Sequence, residues 1–492
     1  RGQMSAEGLR QSQEYPILAR LAQHMQGETP FNVAVTIGTK SEVTVSSSLQ
    51  GMGTTLPAPL NKPAQAVWPL QVTHRLDEAQ GHQDELIVDV GNPQSLHMTS
   101  ATTPWLRVDY RRDTSGPVAR VTRGLISLQQ TTGLGAALSL PAKGVTAQVL
   151  VNALDLDAWT PVGKQVLDIH DVSATANSPA TGDAGESYVP DSIAVRTPSL
   201  TLQKRTLRDV NASVAHPEGG VWRVQLASQQ AAGQLKWVPE RAPLAKGTAG
   251  SRLIARLSRL AVPKAEAQAI QEDATEQMLS PDASSLPALD VTIDQFEWAG
   301  LPLGRIEVEA INRLAAGTAG VPEWRLTKFR MKTPEAQLDA SGSWAATVAT
   351  SGGKAKVRPR SNFTFGLDLA NSGALLTRLG LPQTMKGGKG RIAGQVSWSG
   401  SPLEPDPPSM SGDLTIQISE GQFLKVEPGA AKLLGVLSLQ SLPRRLTLDF
   451  RDLFQQGFAF DAIDGDVKIT QGVAATRNLR MRGVQAVALR QG

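Results

Sequence analysis

Six histidines, at 24, 74, 82, 97, 170 and 216, are the first residues to weigh for chemistry. A zinc enzyme needs two of them one helical turn apart with a carboxylate beside them, as in HExxH, and no such spacing occurs. Asp168 to Asp171 (DIHD) is the best cluster of metal-ligating types, yet it falls short of a metal site. Asp155 and Asp157 in LDLDAW offer two oxygens to a hard cation, but no third ligand cluster adjoins them, and a solvated strand end is the simpler reading. DAIDGD, Asp461 to Asp466, has the beginnings of a calcium loop without the glutamate that closes one, so a hairpin turn on Asp464-Gly465 is expected instead. Gly388-x-Gly390 in GGKGRIAG leads into a strand rather than a helix, so it is no phosphate loop. GxSxG is missing. Arg444 and Arg445 have the charge to meet a lipid phosphate, although an Arg pair beside a helix end ordinarily satisfies backbone carbonyls. With no cysteine, thiol chemistry, disulfides and thiolate metal sites are excluded. Nothing here assembles into an active site, and nothing calls for a cofactor or a metal.

The elements that would have to position such residues are strands. Phe31, Val33, Val35 and Ile37 alternate with Asn32, Ala34, Thr36 and Gly38, which is the mark of a strand with one apolar face. Val43, Val45 and Leu49 repeat the pattern, and Val145, Ala147, Val149 and Val151 share one face. About eight short strands between 70 and 240 have the spacing of an antiparallel meander. Further on, Ile306 and Val308 oppose Glu307 and Glu309, while Phe363, Phe365, Leu367 and Leu369 alternate again. Short helices are expected over 15–25 and 372–379, and a mobile loop tip over 351–360. Lys264 to Leu286 is rich in Ala, Glu, Gln, Asp and Ser between two prolines. It divides the chain into a strand segment at 1–262, a linker or surface helix at 263–288, and a second strand segment at 289–492.

The stretch from Gly412 to Gly483 concentrates the pattern. Leu414, Ile416 and Ile418 face one way and Thr415, Gln417 and Ser419 the other. The period then changes: Leu433, Leu434 and Leu437 lie at helical spacing over 430–442, where Pro443 ends the helix. Strands resume with Leu446, Leu448 and Phe450, and later with Val467 and Ile469.

Hydrophobic residues make up 40% of the 492, enough for a real core, and the length suggests more than one domain. A net charge of +4 is too mild for a dedicated nucleic-acid binder. No run of about 18 apolar residues occurs, so no helix here spans a membrane. Three tyrosines are too few for the aromatic girdles of an outer-membrane barrel. The chain opens on Arg1 with neither initiator methionine nor signal peptide, which suggests a piece of a longer protein.

The segment GQFLKVEPGAAKLLGVLSLQSLPRRLTLDFRDLF, at 421–454, closely resembles the YhdP group of the AsmA-like family of Gram-negative envelope proteins. The S-x-L-x-G … LP-x-PL-x-K pattern between Ser47 and Lys62, LDLDAW at 154–159 and WSGSPLEPDPPSMSG at 398–412 resemble the same family, in order, from about Ser47 to the end. The resemblance implies a mostly β fold: a long curled antiparallel sheet forming an open hydrophobic groove with a few short helices. It implies bridge-like transport of phospholipid between the inner and outer membranes, with no catalysis, in a periplasmic protein held to the inner membrane by a segment N-terminal to this chain. Partners would be phospholipid, the two membranes and other envelope proteins. Periodicity by itself also allows a closed sandwich, and the AsmA-like relatives suggest a second role as an assembly factor for outer-membrane or secreted proteins. For the groove, the residues expected to line it are Val33, Val35, Ile37, Val149, Val151, Leu414, Ile416, Ile418, Val467 and Ile469. The helix of Leu433, Leu434 and Leu437 is expected either to cap its end or to meet a membrane.

Overall fold

The computed structural model describes residues 1–12, 16–38, 40–77, 82–91, 104–116, 119–130, 139–167, 188–216, 220–239, 251–266, 286–314, 322–351, 354–402, 405–424, 458–483 and 486–489. The helix expected over 430–442, the DIHD cluster, and Arg444 and Arg445 lie outside these residues. The chain is mostly β and divides into two compact units, Arg1–Gln234 and Leu235–Gly492.

The first unit opens with β1 (Gly2–Ser5) and α1 (Ala6–Arg10), followed by α2 (Pro16–Leu21), which a 3-10 turn leads into β2 (Met25–Thr36). Then come β3 (Lys40–Ser47), β4 (Met52–Thr54), β5 (Leu70–Asp77), β6 (Gln83–Val90), β7 (Leu106–Asp113) and β8 (Arg120–Gln129). From β1 to β8 the pairing is antiparallel and runs in chain order, except that β4 folds back on the start of β2 and β3 meets β5 directly. Direction changes at β9 (Gly144–Leu150), which lies parallel to both β8 and β11 (Ser192–Leu202). A parallel neighbour needs a crossover, and β10 (Leu154–Asp155) and α3 (Leu156–Leu167) lie in the one between β9 and β11. LDLDAW is thus a helix start rather than a strand end. Asp155 Oδ1 caps it by accepting from the backbone N–H groups of Asp157 (3.0 Å) and Ala158 (3.1 Å). β12 (Arg205–Ala215) and β13 (Trp222–Ala227) complete the antiparallel run, and β14 (Ala231–Val238) lies at the boundary between the units.

In the second unit β15 (Arg252–Val262) and β16 (Ala288–Trp298) are parallel neighbours, so the segment 263–288 connects two strands of one sheet. An antiparallel meander follows through β17 (Leu301–Leu314), β18 (Pro322–Lys332), β19 (Ala336–Ser351) and β20 (Lys354–Leu369). After α4 (Ser372–Arg378) it continues through β21 (Met385–Ser399), β22 (Ser411–Phe423) and β23 (Phe458–Thr470). Three short strands close the order: β24 (Val473–Ala475), β25 (Arg480–Gly483) and β26 (Ala486–Leu489). Asn371 caps α4 by accepting from the Ala374 N–H at 2.9 Å.

Two further expectations are corrected. Asp464-Gly465 is no turn: both residues sit inside β23, where Gly465 faces Ile416, and the reversal comes at Gln471-Gly472, both with positive φ. Only glycine fits at 465, because an added Cβ would stand 2.6 Å from Leu479 Cα. Of the segment expected as a loop tip, Ser351 and residues 354–360 lie in strands, since the β19–β20 ladder runs without a break to the Ser351–Lys354 pair. The GGKG stretch lies within β21 with no shift of register against β22, and Gly387, Gly388 and Gly390 are at positive φ across from Glu420, itself at φ 58°.

Candidate functional site

Because side chains alternate along a strand, register across a sheet sorts them into rows, and each row belongs to one face. In the first unit the row through Val33 reads Val33, Val45, Val72, Val88, Val108, Ile126, Ala147, Ile193, Val214, Val224, from β2 to β13. Every member is aliphatic. One residue along, on the other face, the row reads Asn32, Ser46, Gln71, Asp89, Arg107, Ser127, Gln148, Ala194, Ser213, Gln225. The second unit repeats the arrangement from β15 to β23: Ala255, Val291, Val308, Phe329, Ala340, Phe365, Gly394, Leu414, Val467. Beside it runs Leu257, Ile293, Ile306, Met331, Leu338, Leu367, Ile392, Ile416, Gly465. The intervening row on the other face is polar or charged except at Gly366: Arg256, Thr292, Glu307, Arg330, Asp339, Gly366, Arg391, Gln417, Asp464.

The apolar face of the second unit is closed at both margins and also over β15 to β17, where Ala255, Leu257, Ile293 and Ile306 are buried, and is half-buried between the margins from β18 to β23. At one margin Leu375 of α4 packs on Ala336 and Leu369, and Met385, Phe460 and Ile463 form a second cluster. Arg378 ties α4 down through two 2.7 Å bonds to Glu335 and a third, at 3.3 Å, to the Pro302 carbonyl. The other margin carries Trp324, Trp344 and Trp398, all buried. Between them Val308, Phe329, Phe365, Leu414 and Val467 are only half-buried. In the first unit the margins are a core around Val90, Trp105, Leu128 and Val151 and a second around Leu86, Tyr110, Val145 and Tyr188. Val45, Val72, Val88 and Val108 lie half-buried between them.

The polar face is held by charge ladders. Glu42 meets Arg75 at 2.6 Å, Arg75 meets Glu85 at 3.3 Å, and Glu85 also meets Arg111. The bond from Arg75 holds the Glu42 carboxyl below its ordinary range. Lys328 and Arg305 hold Glu307 down to about 2, and Arg378 holds Glu335 to about 2 as well.

The expected lining residues fall as follows. Val33, Val35 and Ile37 are 46%, 61% and 87% exposed at the start of the first sheet. Val149 is half-buried in the row that includes Leu128 and Val195. Val151 is 2% exposed, within the core beside α3. Leu414, Ile416, Ile418, Val467 and Ile469 share the apolar face of β22 and β23 and are half-buried, while Thr415, Gln417 and Lys468 are exposed. Leu433, Leu434 and Leu437 lie outside the described residues. Asp157, weighed for a cation, accepts from the Gln203 and Lys204 backbone N–H groups at 2.6 Å each.

Sequence reasoning missed a polar network set into the apolar side of the first unit. Arg112 and Asp84, each 2% exposed, form a two-pronged pair at 2.8 and 2.5 Å. His74 Nε2 lies 2.7 Å from Asp84 Oδ2, and Arg112 Nη1 donates to the Tyr188 hydroxyl at 3.3 Å. Burial disfavours the Asp84 carboxylate, but the bonds from His74 and Arg112 outweigh it and hold its pKa below the ordinary value. The signal was parity: His74, Asp84 and Arg112 occupy apolar-face positions on three neighbouring strands, two residues from Val72, Leu86 and Tyr110.

Among the described residues no helix is long and apolar enough to cross a membrane. The model of a protein family described as "YhdP protein" matches residues 1–492. The intermembrane phospholipid transporter YhdP of Escherichia coli (strain K12) is 35% identical over 92 residues, which is 18% of this chain and 7% of that protein. No solved structure matches.

Proposed function

The chain belongs to the YhdP family, and from that membership we propose that it carries phospholipid between the two membranes of a Gram-negative envelope, its apolar sheet faces receiving the acyl chains. The observation that supports this most is the unbroken aliphatic row from Val33 to Val224, flanked by a polar row on the opposite face. A closed sandwich would bury such a face. Here the centre is half-buried between covered margins, as a trough for a chain-like ligand would be.

The physical task is to keep acyl chains out of water. Exposing a methylene costs about 0.8 kcal/mol, so a sixteen-carbon chain costs on the order of 12 kcal/mol. An apolar lining takes most of that cost away while the headgroup stays wet at the open side. In this reading Val33, Val35, Ile37, Val149, Leu414, Ile416, Ile418, Val467 and Ile469 touch lipid, and the charge ladders face the periplasm. Transport of this kind is binding and sliding, with no bond made or broken. The test combines mass spectrometry of lipid bound to the purified chain with a photo-crosslinker at Leu414 and Ile416, compared with Thr415 and Gln417. Capture at the first pair alone supports the reading; equal capture on both faces, or bound lipid absent altogether, overturns it.

A further inference from the structure

A buried ion pair is an expensive thing to place in an apolar surface, and hydrophobic residues of the same size are often as stable or more so. The Arg112–Asp84 pair therefore asks what else it holds. Outside the strands it reaches Tyr188, whose hydroxyl accepts from Arg112 at 3.3 Å. Tyr188 is 8% exposed and stands edge-on to the Tyr110 ring, with centroids 5.2 Å apart at 89°. Tyr110 donates its hydroxyl to the Tyr188 carbonyl at 3.1 Å. The Tyr110 ring itself lies flat across Gly124, where an added Cβ would stand 2.4 Å from Cδ1. Val72, Val108 and Ile126 of the aliphatic row pack against this cluster. Tyr188 thus comes to the aliphatic row from outside the strands and is fixed there by a polar network rather than by apolar contact alone.

We propose that Tyr188 is a gate over the apolar face of the first unit, and that Arg112, set by Asp84 and His74, is the positioning residue that holds it shut beside Val108. This rests on the reading that the apolar face takes acyl chains. With Tyr188 in place, a chain following the row past Val72, Val108 and Ile126 runs against the cluster that its ring completes; with the ring released, that edge of the row is uncovered.

The test uses the whole chain, vesicles of phosphatidylethanolamine and phosphatidylglycerol, and a photo-crosslinker at Val108 or, as a distant reference in the same row, at Val224. Tyr188→Ala removes the ring. The double variant Asp84→Leu with Arg112→Met removes both charges together, so that no lone charge stays buried. If the gate is shut nine-tenths of the time, each variant raises lipid capture at Val108 roughly ten-fold and leaves Val224 unchanged. Tyr188→Phe, which keeps the ring but loses the hydroxyl, gives an intermediate rise. A merely structural role would lower melting and leave the ratio of Val108 to Val224 capture where it was. That result in Tyr188→Ala overturns the proposal, whether or not the double variant folds. Capture at neither position in any chain overturns the acyl-chain reading, and the gate with it.

Discussion

Placing a carboxylate at two depths, one on the apolar face of each unit, separates a trough from a core. Leu414 lies in the half-buried centre of the second unit, whereas Val151 is 2% exposed in the first. Fully burying a leucine is worth about 1.5–3 kcal/mol, so losing a half-buried one costs roughly 1 kcal/mol. At position 414 the new carboxylate keeps water on its open side, so Leu414→Asp destabilises by about 1–2 kcal/mol in all. At position 151 the carboxylate has neither water nor a partner, surrounded by Val90, Leu128, Leu154 and Leu200, and Val151→Asp costs upwards of about 4 kcal/mol. Denaturant unfolding of each unit, followed by tryptophan fluorescence, measures both. If Leu414→Asp proves as damaging as Val151→Asp, the centre of the second sheet is a closed core and the trough does not exist. For the same reason a pair of charges at Val149 and Val151 would be a poor probe of transport, since the second would disrupt the fold first.

The Glu335–Arg378 pair should make α4 sensitive to acid. The Glu335 carboxylate titrates at about 2 when folded against an ordinary 4.5, so its contribution is full above pH 4.5 and is lost as pH falls toward 2. Melting between those values should fall less steeply in a Glu335→Gln, Arg378→Met double variant, and an unchanged slope would refute this. Glu42→Gln should cost under about 1 kcal/mol and nothing in 1 M salt, since the ladder it breaks is at the surface; a larger, salt-independent loss would show a buried role instead. Gly465→Ala should cost about 1–3 kcal/mol by pushing a methyl into the Leu479 backbone, and a neutral result would mean that β25 packs less closely than it does here.

Faces were legible in the sequence because alternation is local: Leu414, Ile416 and Ile418 declare their side of β22 without reference to any partner. Partners are not declared in this way. Nothing in Val145–Val149 says that β9 lies parallel to both its neighbours, because direction is set by the connections on either side, of which the one to β11 runs through α3. That helix was itself obscured by Pro161 and by two aspartates with the look of a solvated end. Asp464-Gly465 has turn chemistry, yet the alternation of Ile463 and Val467 around it kept the strand intact, and the glycine served close packing instead. The Arg112 network was hidden by the habit of reading charge as surface. Parity gave it away, since three ionisable side chains at apolar positions on adjacent strands must either meet or destabilise the sheet.

If the apolar row is a path and not a pocket, obstacles along it should combine as resistances in series. One carboxylate in the row removes lining over about one strand spacing, ~4.8 Å, or roughly four methylenes of a passing chain. At about 0.8 kcal/mol each this is ~3 kcal/mol, a slowing of about 100-fold. Two carboxylates on neighbouring strands, Leu414→Asp with Val467→Asp, double the length of the gap and therefore the height of a single barrier, so the slowing is squared to about 10,000-fold. Two carboxylates far apart in the same row, Val308→Asp with Leu414→Asp, make two barriers crossed one after the other, and the rate falls only about two-fold below that of one. A binding pocket predicts otherwise: a substitution within it abolishes binding, one outside it does nothing, and the spacing of a pair is immaterial. Phospholipid exchange between donor and acceptor vesicles joined by the membrane-tethered protein, measured for both doubles and each single, decides between them. Adjacent and separated doubles of equal rate would end the idea of a path.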